Sequence, residues 1–80
     1  MSVIELVDIA TLADARQAAR SGYARELRKR AGLSQAELAF YCGVTPTAIS
    51  LWESGKRRPR GEAAHRYAQL IQLLEQREPD

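Results

Sequence analysis

The sequence predicts an all-α fold, a compact bundle of four to five short helices. Three observations predict it. Helix-start signals recur along the chain at Thr11, Ser34 and Thr45. Ser-Gly or Gly breaks follow the expected helical segments, at Ser21-Gly22, Gly32, Gly43 and Ser54-Gly55. Between breaks, apolar residues recur every three or four positions.

Eighty residues make one domain, 1–80, with an N-terminal extension over 1–20 and a core over 21–76. The opening MSVIELVDIA stays open between two readings. Ser2 and Glu5 have capping-box spacing, whereas Val3, Ile4, Val7 and Ile9 are β-branched and favour a strand. From Thr11 a helix is expected, with Thr11 as its cap, Asp14 in its first turn, and Arg16 and Arg20 near its end. A second helix runs from about Tyr23 to Arg30, with Tyr23, Leu27 and Ala31 on one face and Gly32 past its end.

The third helix begins after Ser34. Ser34 and Glu37 form a capping box, and Leu33 can staple onto Leu38. It runs through Cys42 and stops at Gly43. Thr45 caps the fourth, with Pro46 at the first helical position, where a missing N–H costs nothing. Its apolar pair is Ile49 and Trp52. After Ser54-Gly55 comes the loop KRRPR, in which Arg58 should be extended before Pro59. The last helix, Gly61 to Gln76, places Ala64, Tyr67, Ala68, Ile71 and Leu74 on one stripe, and Pro79 ends the order.

Charge is segregated. Met1 to Asp14 carries −3, Ala15 to Arg60 carries +7, and Gly61 to Asp80 carries −2, which leaves a net charge of +2. A basic middle with acidic flanks is the footprint of a polyanion binder. No apolar run is long enough for a membrane span, and no signal peptide is expected. Cys42 is the single cysteine, which fits a reducing cytoplasm. His65 is the single histidine, and there is no Gly-rich phosphate loop, CxxC or paired carboxylate, so no enzyme, metal site or cofactor is expected.

The segment QAELAFYCGVTPTAISLW, Gln35 to Trp52, meets the demands of a helix-turn-helix. Ala39 is the small residue where two backbones approach, and Gly43 is the turn. Leu38, Cys42, Val44, Ile49 and Trp52 are the apolar set. With LRKRAGLSQAELA before it and WESGKRRP after it, the chain resembles the Cro/C1-type (Xre) family of phage and bacterial regulators over Tyr23 to Leu74.

The resemblance implies a lambda-repressor-like fold and sequence-specific binding of double-stranded DNA, with the helix at about 46–53 in the major groove. It implies a phosphate contact from Gln35, DNA-facing positions at Thr45, Pro46, Thr47, Ser50 and Leu51, and phosphate contacts from Lys56, Arg57, Arg58 and Arg60. It implies an internal ion pair between Arg28 and Glu53. None of the five DNA-facing residues is Arg, Lys, Gln or Asn, so direct readout should be weak, about 1 kcal/mol per contact. Ser50 and Leu51 can equally be plain surface residues. Trp52 should be core rather than a base-stacking platform. Arg25, Lys29 and Arg30 should be surface charges. Phe40 and Tyr41 are unusual for the family and should pack on the N-terminal helix or on a partner.

The leading functional reading is a transcriptional repressor, Cro-like or autoregulatory, acting as a homodimer on a pseudo-palindromic operator in a bacterial or phage-infected cytoplasm. Candidate dimer surfaces are the last helix, through Tyr67, Ile71 and Leu74, and the apolar N-terminal segment. The alternative is an antitoxin that binds a protein toxin and its own operator. An adaptor making only protein contacts is a third reading, which the basic loop disfavours.

Overall fold

A computed structural model describes residues 3–77, with side chains from residue 9 onward. Among the described residues there are five helices and no strand: α1 (Val3–Ser21), α2 (Tyr23–Arg30), α3 (Gln35–Cys42), α4 (Pro46–Glu53) and α5 (Gly61–Arg77).

The largest departure from expectation is α1. It begins at Val3, so Thr11 lies inside the helix and does not cap it. A cap needs a non-helical residue, and neither Pro nor Gly occurs between Val3 and Ser21 to supply a break. The β-branched residues at the start cost only a few tenths of a kcal/mol each in a helix, too little to stop propagation from the alanine-rich turns that follow. The proposed pairing of Ser2 with Glu5 lies outside the described residues. Ala15, Ala18 and Ala19 form the buried face of α1, and their small side chains let it lie close along α5 and α2.

α2 closes with two hydrogen bonds, from Gly32 N–H to the Lys29 carbonyl at 3.0 Å and from Leu33 N–H to the Arg28 carbonyl at 3.1 Å. Leu27 is buried, Ala31 is half-buried, and Tyr23 is exposed with its hydroxyl donating to Glu75 Oε2 at 2.7 Å. Arg25, Lys29 and Arg30 are exposed.

α5 runs through the middle of the bundle. Ala64, Tyr67, Ala68, Ile71 and Leu74 are all buried in one cluster with Leu27, Leu38, Ala39, Ile49 and Trp52. Leu33, expected to staple onto Leu38, packs against the same cluster, of which Leu38 is a member. Trp52 and Tyr67 meet with ring centroids 4.9 Å apart and planes tilted by 55°. Trp52 is therefore core. The stripe also corrects the expected dimer surface. Tyr67, Ile71 and Leu74 are consumed by the protomer's own core, and the exposed large apolar residue of α5 is Leu73 instead.

Candidate nucleic-acid interface

Both ends of α3 and the start of α4 are fixed by local hydrogen bonds. Ser34 Oγ accepts from Glu37 N–H at 3.0 Å, and Glu37 Oε1 accepts from Ser34 N–H at 2.8 Å. At the other end of α3, Gly43 adopts φ +75°, and the next amide, Val44 N–H, donates back to the Ala39 carbonyl at 2.9 Å. A β-carbon there would meet only Arg66 Nη1 at 3.8 Å, so glycine is required by conformation rather than by space. Thr45 Oγ1 accepts from Ala48 N–H at 3.2 Å and opens α4, with Pro46 in its first turn. Ala39 and Ile49 are buried between the two helices, at 2% and 0% exposure.

A buried charge network joins this unit to α2. Arg28 donates from Nε to Glu53 Oε2 at 2.6 Å and from Nη2 to Glu53 Oε1 at 3.0 Å. Its Nη1 donates to the Leu33 carbonyl at 2.8 Å. Gln35 Nε2 donates to Glu53 Oε1 at 3.0 Å. One carboxylate at the end of α4 therefore takes two donors from α2 and one from the first residue of α3. The Arg28 and Glu53 side chains are only 10% and 3% exposed, so the forked pair is shielded from water and salt.

The outer face of α4 exposes Pro46, Thr47 and Ser50, with Leu51 half-buried and Thr45 exposed at its start. Gln35 is half-buried beside it. None of these side chains is charged. Charge arrives in the loop that follows, where Lys56, Arg57, Arg58 and Arg60 are all exposed. Both ends of that loop are anchored. The Leu51 carbonyl accepts from Lys56 N–H at 3.0 Å and Arg57 N–H at 3.2 Å, and Pro59 is buried with its carbonyl taking Arg16 Nε at 2.8 Å.

That last bond was not foreseen, and it comes from α1. Arg16 and Arg20, one turn apart on α1, line a cleft of about 700 Å³ whose far wall is the Gly55–Arg60 loop. Sequence reasoning assigned both arginines to the helix dipole. The only signal that could have placed them here was their membership of the basic stretch from Ala15 to Arg60.

Phe40 is 89% exposed and so packs on no described part of the N-terminal helix, which leaves the expected alternative of a partner, whereas Tyr41 is 40% exposed. Cys42 fills the core slot expected of it. Cys42 is buried, and burial pushes its thiol from 9.0 up to about 11, which Arg66 only partly offsets. The thiol is a core group with little thiolate character.

A family model described as Helix-turn-helix matches residues 25–74. The chain belongs to the Cro/C1-type helix-turn-helix family. The match takes in the α3–turn–α4 unit, both partners of the buried ion pair, and the basic loop. It starts after α1 has ended, so Arg16 and Arg20 lie outside it. Neither a search of curated proteins nor one of solved structures returns a significant match. Membership makes the chain a sequence-specific DNA-binding regulator, a family that is not enzymatic. Among the described residues, no helix is long and apolar enough to cross a membrane.

Proposed function

We propose that the chain is a transcriptional repressor that binds its operator as a homodimer in the cytoplasm, with α4 lying in the major groove. One observation carries this reading. The exposed, uncharged face of α4 is followed directly by an anchored loop with four exposed cations. A helix that enters a groove needs such a flank, because phosphate contacts set orientation while base contacts set sequence. Pro46, Thr47, Ser50 and Leu51 face the base edges, and Lys56, Arg57, Arg58 and Arg60 take phosphates. Thr45 keeps its hydroxyl hydrogen for a phosphate while its oxygen caps α4. Gln35 keeps its second Nε2 hydrogen for a phosphate while the first is held by Glu53. With the α5 stripe buried, the dimer contact falls to other side chains.

The test is selection of bound duplexes from a random pool, followed by weighing the complex. The expected result is a pseudo-palindromic site with half-sites about one helical turn apart, carrying two chains. Thr47→Ala should then shift sequence preference more than affinity, and Gln35→Ala should weaken all sequences about equally. A single chain on an asymmetric site would remove the dimer model. The antitoxin alternative draws on Phe40 and its neighbour Tyr41, 89% and 40% exposed, since aromatic side chains are the type enriched at protein–protein interfaces. A toxin-like reading frame beside the gene, whose product Phe40→Asp no longer binds, would favour it.

A further inference from the structure

The cleft between α1 and the loop has a charge pattern that the helix-turn-helix reading does not use. Its lining includes six cationic side chains: Arg16 and Arg20 from α1, and Lys56, Arg57, Arg58 and Arg60 from the loop. No acidic side chain is among the described residues that line it. The acid of α1 nearest to these arginines, Asp14, faces away, lining the groove that α1 makes with α5. Arg16 and Arg20 are four residues apart and share one helix face, a spacing at which like charges repel. The loop adds further like charge across the cleft. An arrangement of this kind is relieved by an anion.

Arg20 is the member placed to meet one. Its side chain reaches across to the end of α4, where Cγ lies 3.9 Å from the position of a β-carbon on Gly55. Its guanidinium donates to Gln17, one turn back toward the helix start. It therefore turns back along the helix, as helical side chains generally do, while its charge stays in the last turn of α1, as expected from its position. Gln17 lines the α1–α5 groove at the edge of this face and is neutral, so the hydrogen bond leaves the guanidinium's charge unspent. Arg16 is the strut of the same wall, because its Nε holds the Pro59 carbonyl at 2.8 Å and fixes the far end of the loop.

We propose that Arg20, with the Lys56–Arg60 loop opposite, forms a phosphate-binding cleft through which α1 adds a DNA-backbone contact outside the helix-turn-helix. This rests on the reading that the loop lies along DNA phosphates. It adds a contact from a helix that the family match does not include. Arg16 is a positioning residue that holds the loop. Phosphate in the cleft is gripped from two elements rather than one, and the footprint extends past the bases that α4 can reach.

The test compares wild type, Arg20→Ala, Arg20→Gln and Arg20→Lys by fluorescence anisotropy on the selected duplex across a salt series. Arg20 is exposed, so its variants should keep the wild-type melting curve, and circular dichroism checks this for each. Loss of one phosphate contact lowers the slope of log affinity against log salt by about 0.9. The affinity deficit of Arg20→Ala and Arg20→Gln should then shrink about 3.5-fold between about 50 and about 200 mM salt, and Arg20→Lys should restore the wild-type slope.

An unchanged slope in both neutral variants, with a reduced slope in Arg57→Ala, would overturn the cleft contact and leave the loop reading standing. A slope as low in Arg20→Lys as in Arg20→Ala would also overturn it, because the lost function would then be packing rather than charge. Wild type that binds no duplex would sink the DNA reading itself, and this inference with it. Inorganic tripolyphosphate, titrated without DNA, separates the sources of phosphate. Binding that depends on Arg20 while the duplex slope does not would assign the cleft to a free polyphosphate and overturn the proposal.

Discussion

Glu53→Ala is the substitution whose consequence the structure specifies most closely. The Glu53 carboxylate takes three donors, two from Arg28 and one from Gln35. Removing it leaves the Arg28 guanidinium, whose side chain is only 10% exposed, with the Leu33 carbonyl as its remaining partner. Stranding one charge of a buried pair costs about 3–5 kcal/mol. One effect opposes this. Glu53 is the last residue of α4, where a negative charge sits badly on the helix dipole, and losing it returns about 0.3–1 kcal/mol. The desolvated arginine wins, with a net loss of about 3 kcal/mol.

For a chain of 80 residues the unfolding entropy is about 0.17 kcal/mol/K, so Tm should fall by about 18 °C. Total stability at this length is about 4–12 kcal/mol, so the variant is badly weakened, and at the lower end only marginally folded. The assay is thermal and urea unfolding followed by far-UV circular dichroism. The control is the double variant Arg28→Met with Glu53→Leu, which removes both charges and keeps bulk. It should come within about 1.5 kcal/mol of wild type, since buried pairs replaced by apolar side chains are often neutral. A drop in Tm under about 5 °C for Glu53→Ala would refute the reasoning. So would a double variant as unstable as the two single losses added together.

Two further predictions concern the core. The Tyr67 hydroxyl is fully buried and makes no hydrogen bond among the described residues, and burial, with the Glu53 charge adding to it, pushes its ionisation well above the ordinary tyrosine value. Tyr67→Phe should therefore raise stability by about 1 kcal/mol, a Tm gain of about 6 °C, and a loss of similar size in the same melt would show that the hydroxyl is satisfied. With its thiol pushed from 9.0 to about 11, Cys42 in the folded chain holds a thiolate fraction about a hundredfold smaller near pH 8 than in the denatured chain. Alkylation of native and denatured protein at that pH measures this, and equal rates would contradict it. The sign of the shift also predicts stability that declines as pH rises from about 9 to about 11, because only the unfolded chain releases the proton there.

What could be read in the sequence was what depends on neighbours along the chain. Ser34 and Glu37 are three residues apart, and their capping box needs nothing else to form. Thr45 followed by Pro46 marks a helix start by the same local chemistry, and Gly43 marks a stop. The α5 stripe was legible because burial repeats with the helix period. That same period cannot say what covers the stripe, which is why Tyr67, Ile71 and Leu74 could be assigned to a dimer when they belong to the core. Thr11 misled for a related reason. A residue able to cap marks a helix start only if the chain before it is not already helical, and here it was. The bond from Arg16 to Pro59 spans 43 positions, and no spacing rule reaches that far. It requires knowing which face of α1 the bundle turns toward the loop.

The Gln35 side chain shows why both kinds of residue are needed. Family resemblance implies that it holds a phosphate, and the fold ties it to Glu53, which also holds Arg28. The phosphate contact proposed for the start of α3 would therefore be joined through one carboxylate to the last residue of α4. For a helix rich in bidentate side chains this coupling would matter little, because strong base contacts orient themselves. The α4 face offers only hydroxyls and apolar groups, worth about 1 kcal/mol each, and such contacts discriminate only if the helix is held in register by something else. In the proposed complex the buried network supplies that register from inside, and the cationic loop supplies it from outside. Loosening the inside alone should thus blur sequence preference before it abolishes binding. The stability-neutral double variant at Arg28 and Glu53 tests this, because it keeps the fold and the basic loop while cutting the link to Gln35. Its affinity for the selected duplex should approach its affinity for unrelated sequence. If it discriminates as well as wild type, the register is set by the loop alone.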